Sequence, residues 1–469
     1  MTNDAASLMD KVTALCKRRG FVFPGSEIYG GLANTYDYGP LGTLLLRNIK
    51  NSWWDFFVGR RSNIYPIDSN ILMNPKVWEA SGHVAGFTEA LIDCKACRFR
   101  TRGDHLIGDY FAEKGKTENV EGYPLKKMEE IINHEKIPCP KCKKFDWTKP
   151  RVFNNLFETS IGIISGDKSI AYLRGETAQG MFVNFRNVLT SMSPKLPFGL
   201  AQSGPAFRNE ITPGKFVFRT LQFSLSEFEY YFDPEKDKWE NVFEYWRGEM
   251  WKWAVKELGI KETSLRWRAH TDEERSFYSK RTEDIEYNFP WGYKELYGLA
   301  YRTDYDLKNH MEKSGVDLQY TDSATGRKFI PHVVEPAFGM DRSFMVVLFD
   351  AYSEENKDGK ERMVLKLDPK IAPYKAAVFP LLANKPELID KARAIYDMLY
   401  TKYSCIWDDR GNIGKRYFAQ DEIGTPWCIT VDFDTLKDDA VTVRDRDTAK
   451  QERIGVGKLE EYFSSKLEK

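Results

Sequence analysis

The stretch "GPAFRNEITPGKFVFRTLQFSLSEFEYYF", residues 204 to 232, sets two basic and acidic clusters on either side of a loop and follows them with an alternating run. Pro213-Gly214 is a strong turn signal between two β-favouring segments, so an antiparallel hairpin is expected. Along its second strand Arg219, Phe223 and Glu227 share odd parity, which a pleated strand puts on one face; Arg208 and Glu210 share a face of the first. Such a surface suits a nucleotide, with Arg for phosphates, a flat ring for stacking on a base and a carboxylate for an amino group. The same spacing also reads as a cross-strand ion-pair network with Phe223 in the core, and the pattern alone leaves both open.

A second chemical signal is the pair of CxxC sequences, Cys94 with Cys97 and Cys139 with Cys142. Four thiolates can close a tetrahedral structural Zn²⁺ site; free thiols and disulfides are the alternatives. His105 and His134 nearby read as surface or packing residues. The remaining cysteines, Cys16, Cys405 and Cys428, are scattered singly, which argues against a secreted disulfide framework.

These residues need elements to hold them. A chain of 469 residues exceeds one ordinary core, so two or three domains are expected. Pro40 opens an amphipathic helix over about 40 to 58, whose stripe Leu41, Leu44, Leu45, Ile49, Trp53, Phe56 and Phe57 fits either a core or a subunit interface. Residues 90 to 150 read as an insertion, 152 to 232 as β-rich, and "KWENVFEYWRGEMWKWAVKELGI" as helical. A charged segment, "DAYSEENKDGKERMVLKLDPK", is expected to be a mobile connection, and the last hundred residues alternate strand and helix as a small α/β domain does.

Lys and Arg total 69, as do Asp and Glu, so any RNA contact must use a local basic patch rather than net charge. No run of 18 or more apolar residues occurs, and the first residues read as an amphipathic helix without a signal-peptide core; a soluble, cytoplasmic chain is expected.

Phe207-Arg208-Asn209-Glu210, a loop, then Arg219 and Phe223 resemble motif 2 of the class II aminoacyl-tRNA synthetases. "EPAFGMDRS" resembles motif 3, with Gly339 and Arg342 in place, and "YGPLG" with Pro40 resembles motif 1. Within that class "RGFVFPGSEIYGG", "WEASGHVAGF", "YLRGETAQG", "FRNEITPG", "YRTDYDL" and "WCITVDF" are similar to phrases of the homodimeric glycyl-tRNA synthetases. The resemblance runs over nearly the whole chain. It implies an α+β fold: a class II antiparallel sheet flanked by helices over 1–365, with motif 1 at about 30–58, the CxxC-bearing insertion at about 90–150, motif 2 at about 204–232 and motif 3 at about 333–346. An α/β anticodon-binding domain over 371–469 follows.

By the same resemblance the substrates are glycine, ATP and tRNA(Gly), Mg²⁺ bridges the phosphates, and the chain is a homodimer. Arg208 would hold the α-phosphate and the attacking carboxylate, Glu210 the adenine amino group, Phe223 and Arg342 the two faces of adenine, and Arg219 the γ-phosphate. Asn209, Phe218, Glu295, Leu296 and Gly339 match positions beside ATP, though Glu295 also fits a plain surface residue. Glycine would meet Arg102, Glu176, Phe223, Glu227, Arg302, Glu335 and Gly339; Arg302 could instead form a structural ion pair with Asp304 or Asp306.

The chain departs from the family at Leu221, Gln222, Leu225 and Ala337, where polar groups are usual. That puts efficiency and amino-acid identity in question, and it motivates an alternative: a synthetase-like RNA-binding or regulatory protein without aminoacylation. In the last domain, Lys415 and Arg416 of "GKRYF" are candidates for tRNA contact.

Overall fold

The computed structural model describes residues 2–116, 118, 120, 122–162, 169–211, 214–272, 274–357 and 360–467. Its largest sheet is built from β1 (Ile64–Pro66), β2 (Phe198–Phe207), β3 (Gln222–Phe232), β4 (Leu265–Ala269), β5 (Arg281–Phe289), β6 (Gly292–Thr303) and β7 (His332–Gly339). They lie in the order β4-β5-β6-β7-β3-β2-β1. Every pairing is antiparallel except that of the edge strand β1 with β2.

The five helices that flank this sheet are α1 (Pro40–Trp54), α2 (Ala178–Met192), α3 (Trp239–Lys252), α4 (Tyr305–Ser314) and α5 (Met340–Ala351). The stripe of α1 is spent inside its own chain: Trp53 and Phe57 pack on Phe228 and Phe338 of the sheet and continue into Trp246 and Trp253. Burying each such side chain contributes roughly 1.5–3 kcal/mol, which is reason enough for the pattern without a second subunit. On the opposite face, Phe182 and Phe185 of α2 pack against Phe198 and Tyr231. That helix interrupts the segment expected to be β-rich; Met181, Phe182 and Phe185 fall at helical spacing among residues that otherwise favour strands. Its ring contacts fall on Phe198 and Tyr231, at the opposite end of β3 from Phe223.

The small α/β body comprises β8 (Ala376–Pro380), α6 (Pro386–Tyr400), β9 (Cys405–Trp407), α7 (Ile413–Ile423), β10 (Trp427–Val431), β11 (Ala440–Asp445), β12 (Gln451–Gly455) and α8 (Leu459–Leu467). Its sheet runs β9-β8-β10-β11-β12, with β8 parallel to both neighbours because each crossover is a helix. The connection expected to be mobile instead contains a hairpin, Tyr352–Lys357 with Lys360–Leu365. Its Arg362 is buried and donates to Asp421 of α7 at 2.9 Å, while Arg446 donates to the Leu367 carbonyl at 2.8 Å. Charge in that segment serves a buried interdomain tie.

Candidate active site

The segment expected to be motif 2 is a hairpin whose candidate side chains stand mostly outside its ladder. β2 ends at Phe207 and β3 begins at Gln222, so Arg208, Asn209, Glu210 and Arg219 belong to the connecting loop, and strand parity does not orient them. Thr212 and Pro213, half of the expected turn signal, lie outside the described residues. The mouth is closed by Arg208 N–H donating to the Leu221 carbonyl at 3.0 Å, and Asn209 is pinned by its amide to the Asn155 carbonyl at 2.8 Å. Beyond it Lys215 and Phe216 both adopt left-handed backbone, at φ 62° and 59°, a costly conformation for an aromatic residue. Packing holds it: the Phe216 ring is buried edge-on against Tyr36 at 5.3 Å.

The Arg208 guanidinium lies 5.2 Å from the Phe87 ring centre and 5.3 Å from that of Phe223, and its Nε donates to the Gly175 carbonyl at 3.2 Å. Cation–π contact and one hydrogen bond thus aim the fork while leaving donors free for a phosphate or carboxylate. Glu210 Oε2 stands 3.7 Å from Arg219 Nε, a buried ion pair too long for a hydrogen bond. Arg342, in the first turn of α5, stacks 4.5 Å over Phe218 and bonds Glu295, whose carbonyl is at 2.9 Å and carboxylate at 3.1 Å. Leu296 differs from expectation: its side chain is buried in the core behind the sheet, so only its backbone can serve the site.

Deeper on the same face a carboxylate cluster surrounds Arg302. Its guanidinium donates to both oxygens of Asp306 at 2.8 and 2.9 Å and to both oxygens of Glu335 at 2.9 and 3.0 Å, with Glu176 at 3.7 Å. The ion pair with Asp306 is formed, and the arginine is buried. Glu227 accepts from the Thr177 backbone amide at 2.6 Å and from its hydroxyl. Burial pushes Glu335 up to about 8, and burial together with the Glu176 charge raises Glu227. Against the same burial, His83 and Arg302 hold Glu176 well below the usual carboxylate range. Carboxylates outnumber cations in this buried space, which favours a cationic guest.

Arg102 falls elsewhere than expected. It donates to Glu89 and to Asp104, and Glu89 feels the charges of Glu210 and Arg219, so Arg102 stands toward Glu210 and Arg219 and not in the Arg302 cluster. Leu225 does lie on the open face, between Gly204 and Gly339 in register, and Ala337 lies between Glu227 and Gly298. Leu221 precedes the strand and hands its amide to the Asn34 carbonyl at 3.1 Å.

Residue types alone missed several partners. His83 reaches Glu176 at 3.2 Å; Gln179 bridges Glu176 and Asp306, each at 2.9 Å; Tyr278 lies 3.8 Å beneath the Arg302 guanidinium. His83 and Gln179 sit inside the phrases "WEASGHVAGF" and "RGETAQG", which was the available signal. Glu229 shares the parity of Glu227, yet both its oxygens are buried and unpartnered, and burial followed by the Glu335 charge raises it far above the carboxylate range.

The insertion forms its own body, a three-stranded sheet of Thr88–Asp93, Arg100–Arg102 and Arg151–Asn154 with helices Gly103–Glu113 and Leu125–His134. Within it the four CxxC sulfurs lie within 4.8 Å of one another, with Cys94 to Cys142 at 3.6 Å and Cys97 to Cys139 at 3.7 Å. A tetrahedral Zn–S length of about 2.3 Å requires S–S separations of about 3.8 Å, so the set fits the ion. Each CxxC turn repeats one knuckle: Arg98 and Lys143 are left-handed and donate to the Cys94 and Cys139 carbonyls, both at 2.8 Å. As free thiols the four share their protons unequally: the Lys144 amide pulls Cys142 down to about 7, while desolvation and the neighbouring sulfurs push Cys97 up to about 12.

In the small α/β body the expectation for Arg416 is overturned. It is 2% exposed and donates to four carbonyls, those of Pro380, Asp409, Arg410 and Gly411. It shapes the loop before α7 and cannot reach RNA, whereas Lys415 is exposed.

Comparison with known proteins places this geometry. Residues 375–466 match the family model described as an anticodon binding domain. The chain is 52% identical over 460 residues to a glycine–tRNA ligase of Caldanaerobacter subterraneus, covering 98% of each chain, and 50% identical over 467 residues to that of Geobacillus thermodenitrificans, covering 99% of each. Among solved structures, a prolyl-tRNA synthetase from Cryptosporidium parvum shares the fold, with a TM-score of 0.64 at 16% identity over 98% of this chain and 78% of that one.

Proposed function

The chain belongs to the glycine–tRNA ligase family, and on that premise we propose that it joins glycine to tRNA(Gly) in two steps: ATP-dependent formation of glycyl-adenylate, then transfer to the 3'-terminal adenosine. The observation that carries the reading is the buried excess of carboxylates around Arg302, with Glu176, Glu227 and Glu335 converging where an ammonium group would balance them. The open end of the same face supplies the nucleotide slot. Phe223 and Arg342 take the faces of adenine, Glu210 takes its amino group, and Arg208 and Arg219 take phosphates.

Neither step needs a side-chain nucleophile, since the glycine carboxylate attacks the α-phosphorus and pyrophosphate leaves. The chain's work is to align the two and neutralise charge, which Arg208 does from its fixed seat between two rings. Mg²⁺ arriving with ATP would find a hard oxygen donor in Glu295, whereas Glu286, opposite it in register, already accepts from Arg266 and Arg268. The intact set of motif side chains on one face gives no support to an RNA-binding protein without aminoacylation.

Zinc in the four-cysteine site would pin the insertion beside the Arg102 corner of the pocket. Anticodon bases would be read by the small α/β body, since unpaired loop bases offer both faces and edges. A homodimer is part of the same reading, but the α1 stripe no longer supports it; the exposed Ile28, Tyr29 and Leu32, at 88%, 87% and 61%, do. A cytoplasmic location agrees with the buried, unpaired thiols of Cys16, Cys405 and Cys428.

The deciding experiment is amino-acid-dependent exchange of labelled pyrophosphate into ATP with glycine, alanine, serine and no amino acid in parallel, followed by charging of tRNA(Gly). Exchange with glycine alone is expected, showing that Leu225 and Ala337 are tolerated. Folded protein without exchange would defeat the proposal.

A further inference from the structure

Asp341 stands in the first turn of α5, one residue before Arg342, and is 7% exposed. One of its oxygens accepts from the hydroxyl of Tyr38, on the short strand Tyr36–Tyr38 that leads into α1. The other accepts from the backbone amide of Ser224, one residue past Phe223. Behind them Lys50 of α1 donates to the Ser224 hydroxyl at 2.8 Å, and the Tyr38 ring meets Phe344 of α5 edge-on at 5.0 Å.

The sheet explains why a side chain is needed here. β3 and β7 are ladder partners in two runs, Tyr230 to Phe232 opposite Val334 to His332 and Leu225 to Glu227 opposite Gly339 to Ala337, and β7 ends at Gly339 because α5 begins. Ser224 is the first residue of β3 past the end of the β7 ladder, flanked by strand on the β2 side alone, and it is also where the nucleotide slot opens. The Asp341 carboxylate supplies the acceptor that the ladder no longer offers, and so continues the union of the two strands by one more step.

We propose that Asp341 is a positioning residue for ATP: by joining β3 to the first turn of α5 it fixes the spacing between Phe223 and Arg342. The inference rests on reading those two residues as the faces of the adenine slot. A ring gains from both only if each stands at van der Waals contact, about 3.5–4.0 Å, so a small parting of β3 from α5 loses one face. Glycine, held deeper where β3 is flanked by both β2 and β7, is not affected by that parting. Asparagine at this position would keep both links, its carbonyl accepting from Ser224 and its amide donating to the Tyr38 oxygen; alanine keeps neither.

The test is glycine-dependent pyrophosphate exchange by Asp341→Ala, Asp341→Asn, Tyr38→Phe and Arg342→Ala, with KM for ATP and for glycine measured separately. Asp341→Ala is expected to raise KM for ATP at least tenfold with KM for glycine within twofold, Asp341→Asn to stay within threefold of the parent, and Tyr38→Phe to raise KM for ATP three- to fivefold. If Arg342→Ala leaves KM for ATP unchanged, the slot reading itself fails and takes this inference with it. If Arg342→Ala raises it while Asp341→Ala stays within twofold, the slot stands and the inference is overturned; should Asp341→Ala not fold, Tyr38→Phe decides by the same twofold limit. Equal rises in both KM values would assign Asp341 to general support of the fold and also overturn it.

Discussion

The guanidinium of Arg302 donates from one nitrogen to both carboxylate oxygens of Glu335, at 2.9 and 3.0 Å, with the arginine only 1% exposed. Its other edge is filled by Asp306, so the fork is used on both sides. Lysine cannot reproduce two planar edges. Arg302→Lys is therefore expected to lower kcat/KM for glycine by more than a hundredfold and stability by about 3–5 kcal/mol, because Asp306 and Glu335 are left buried and underpaired. Exchange kinetics and urea unfolding check the two parts; a variant with normal glycine kinetics would remove Arg302 from the pocket.

Glu335 gives a pH signature. Burial lifts it from the ordinary 4.5 to about 8, so the folded chain holds a proton that the unfolded chain releases across that window. Stability contributed by this group is full at low pH and declines as pH rises toward 8. Replacing it with glutamine should flatten the fall of Tm between pH 5 and 8 relative to the parent. Glycine's ammonium favours the ionised carboxylate, so parent glycine affinity is expected to rise over the same window and that of Glu335→Gln to rise less; calorimetric titration at pH 6 and 8 measures it.

The four-cysteine site predicts metal content. Protein purified without chelator should carry about one zinc per chain by atomic absorption, given four thiolates at tetrahedral spacing. Cys139→Ser should lose most of it and make the segment 88–154 the first to be cut by protease. Full-length protein free of zinc yet equally resistant would leave the cluster as four plain thiols.

Arg416 and Lys415 are neighbours with opposite expectations. Arg416→Leu removes four charge-assisted bonds to carbonyls in a buried seat, and a loss of about 3 kcal/mol is expected, read as a lower unfolding midpoint. Lys415→Ala should leave the midpoint unchanged. If tRNA affinity falls with Lys415→Ala at constant stability, the exposed start of α7 contributes to RNA contact; no change would remove it.

The sequence by itself determined the chemistry and the order of parts. Arg208, Glu210, Phe223, Arg342 and the paired cysteines carry spacing signals that survive without any fold, because motif residues and knuckles are local. The alternation of the last hundred residues, and the helix from Pro40, were legible for the same reason: periodicity is a property of neighbours along the chain. What only tertiary structure decided is which charges meet. Arg302, Asp306 and Glu335 come from separate elements; the resemblance grouped Arg302 with Glu335 and the sequence left its ion pair between Asp304 and Asp306, but only the packed chain shows one guanidinium bonding Asp306 and Glu335 together. Burial likewise separated residues that composition treats alike: Arg416 is locked on carbonyls while Lys415 faces solvent, and Arg362 in a charged connection is a buried tie to Asp421. A charged side chain reads the same in sequence whether water or a partner neutralises it, and only the packed chain settles which.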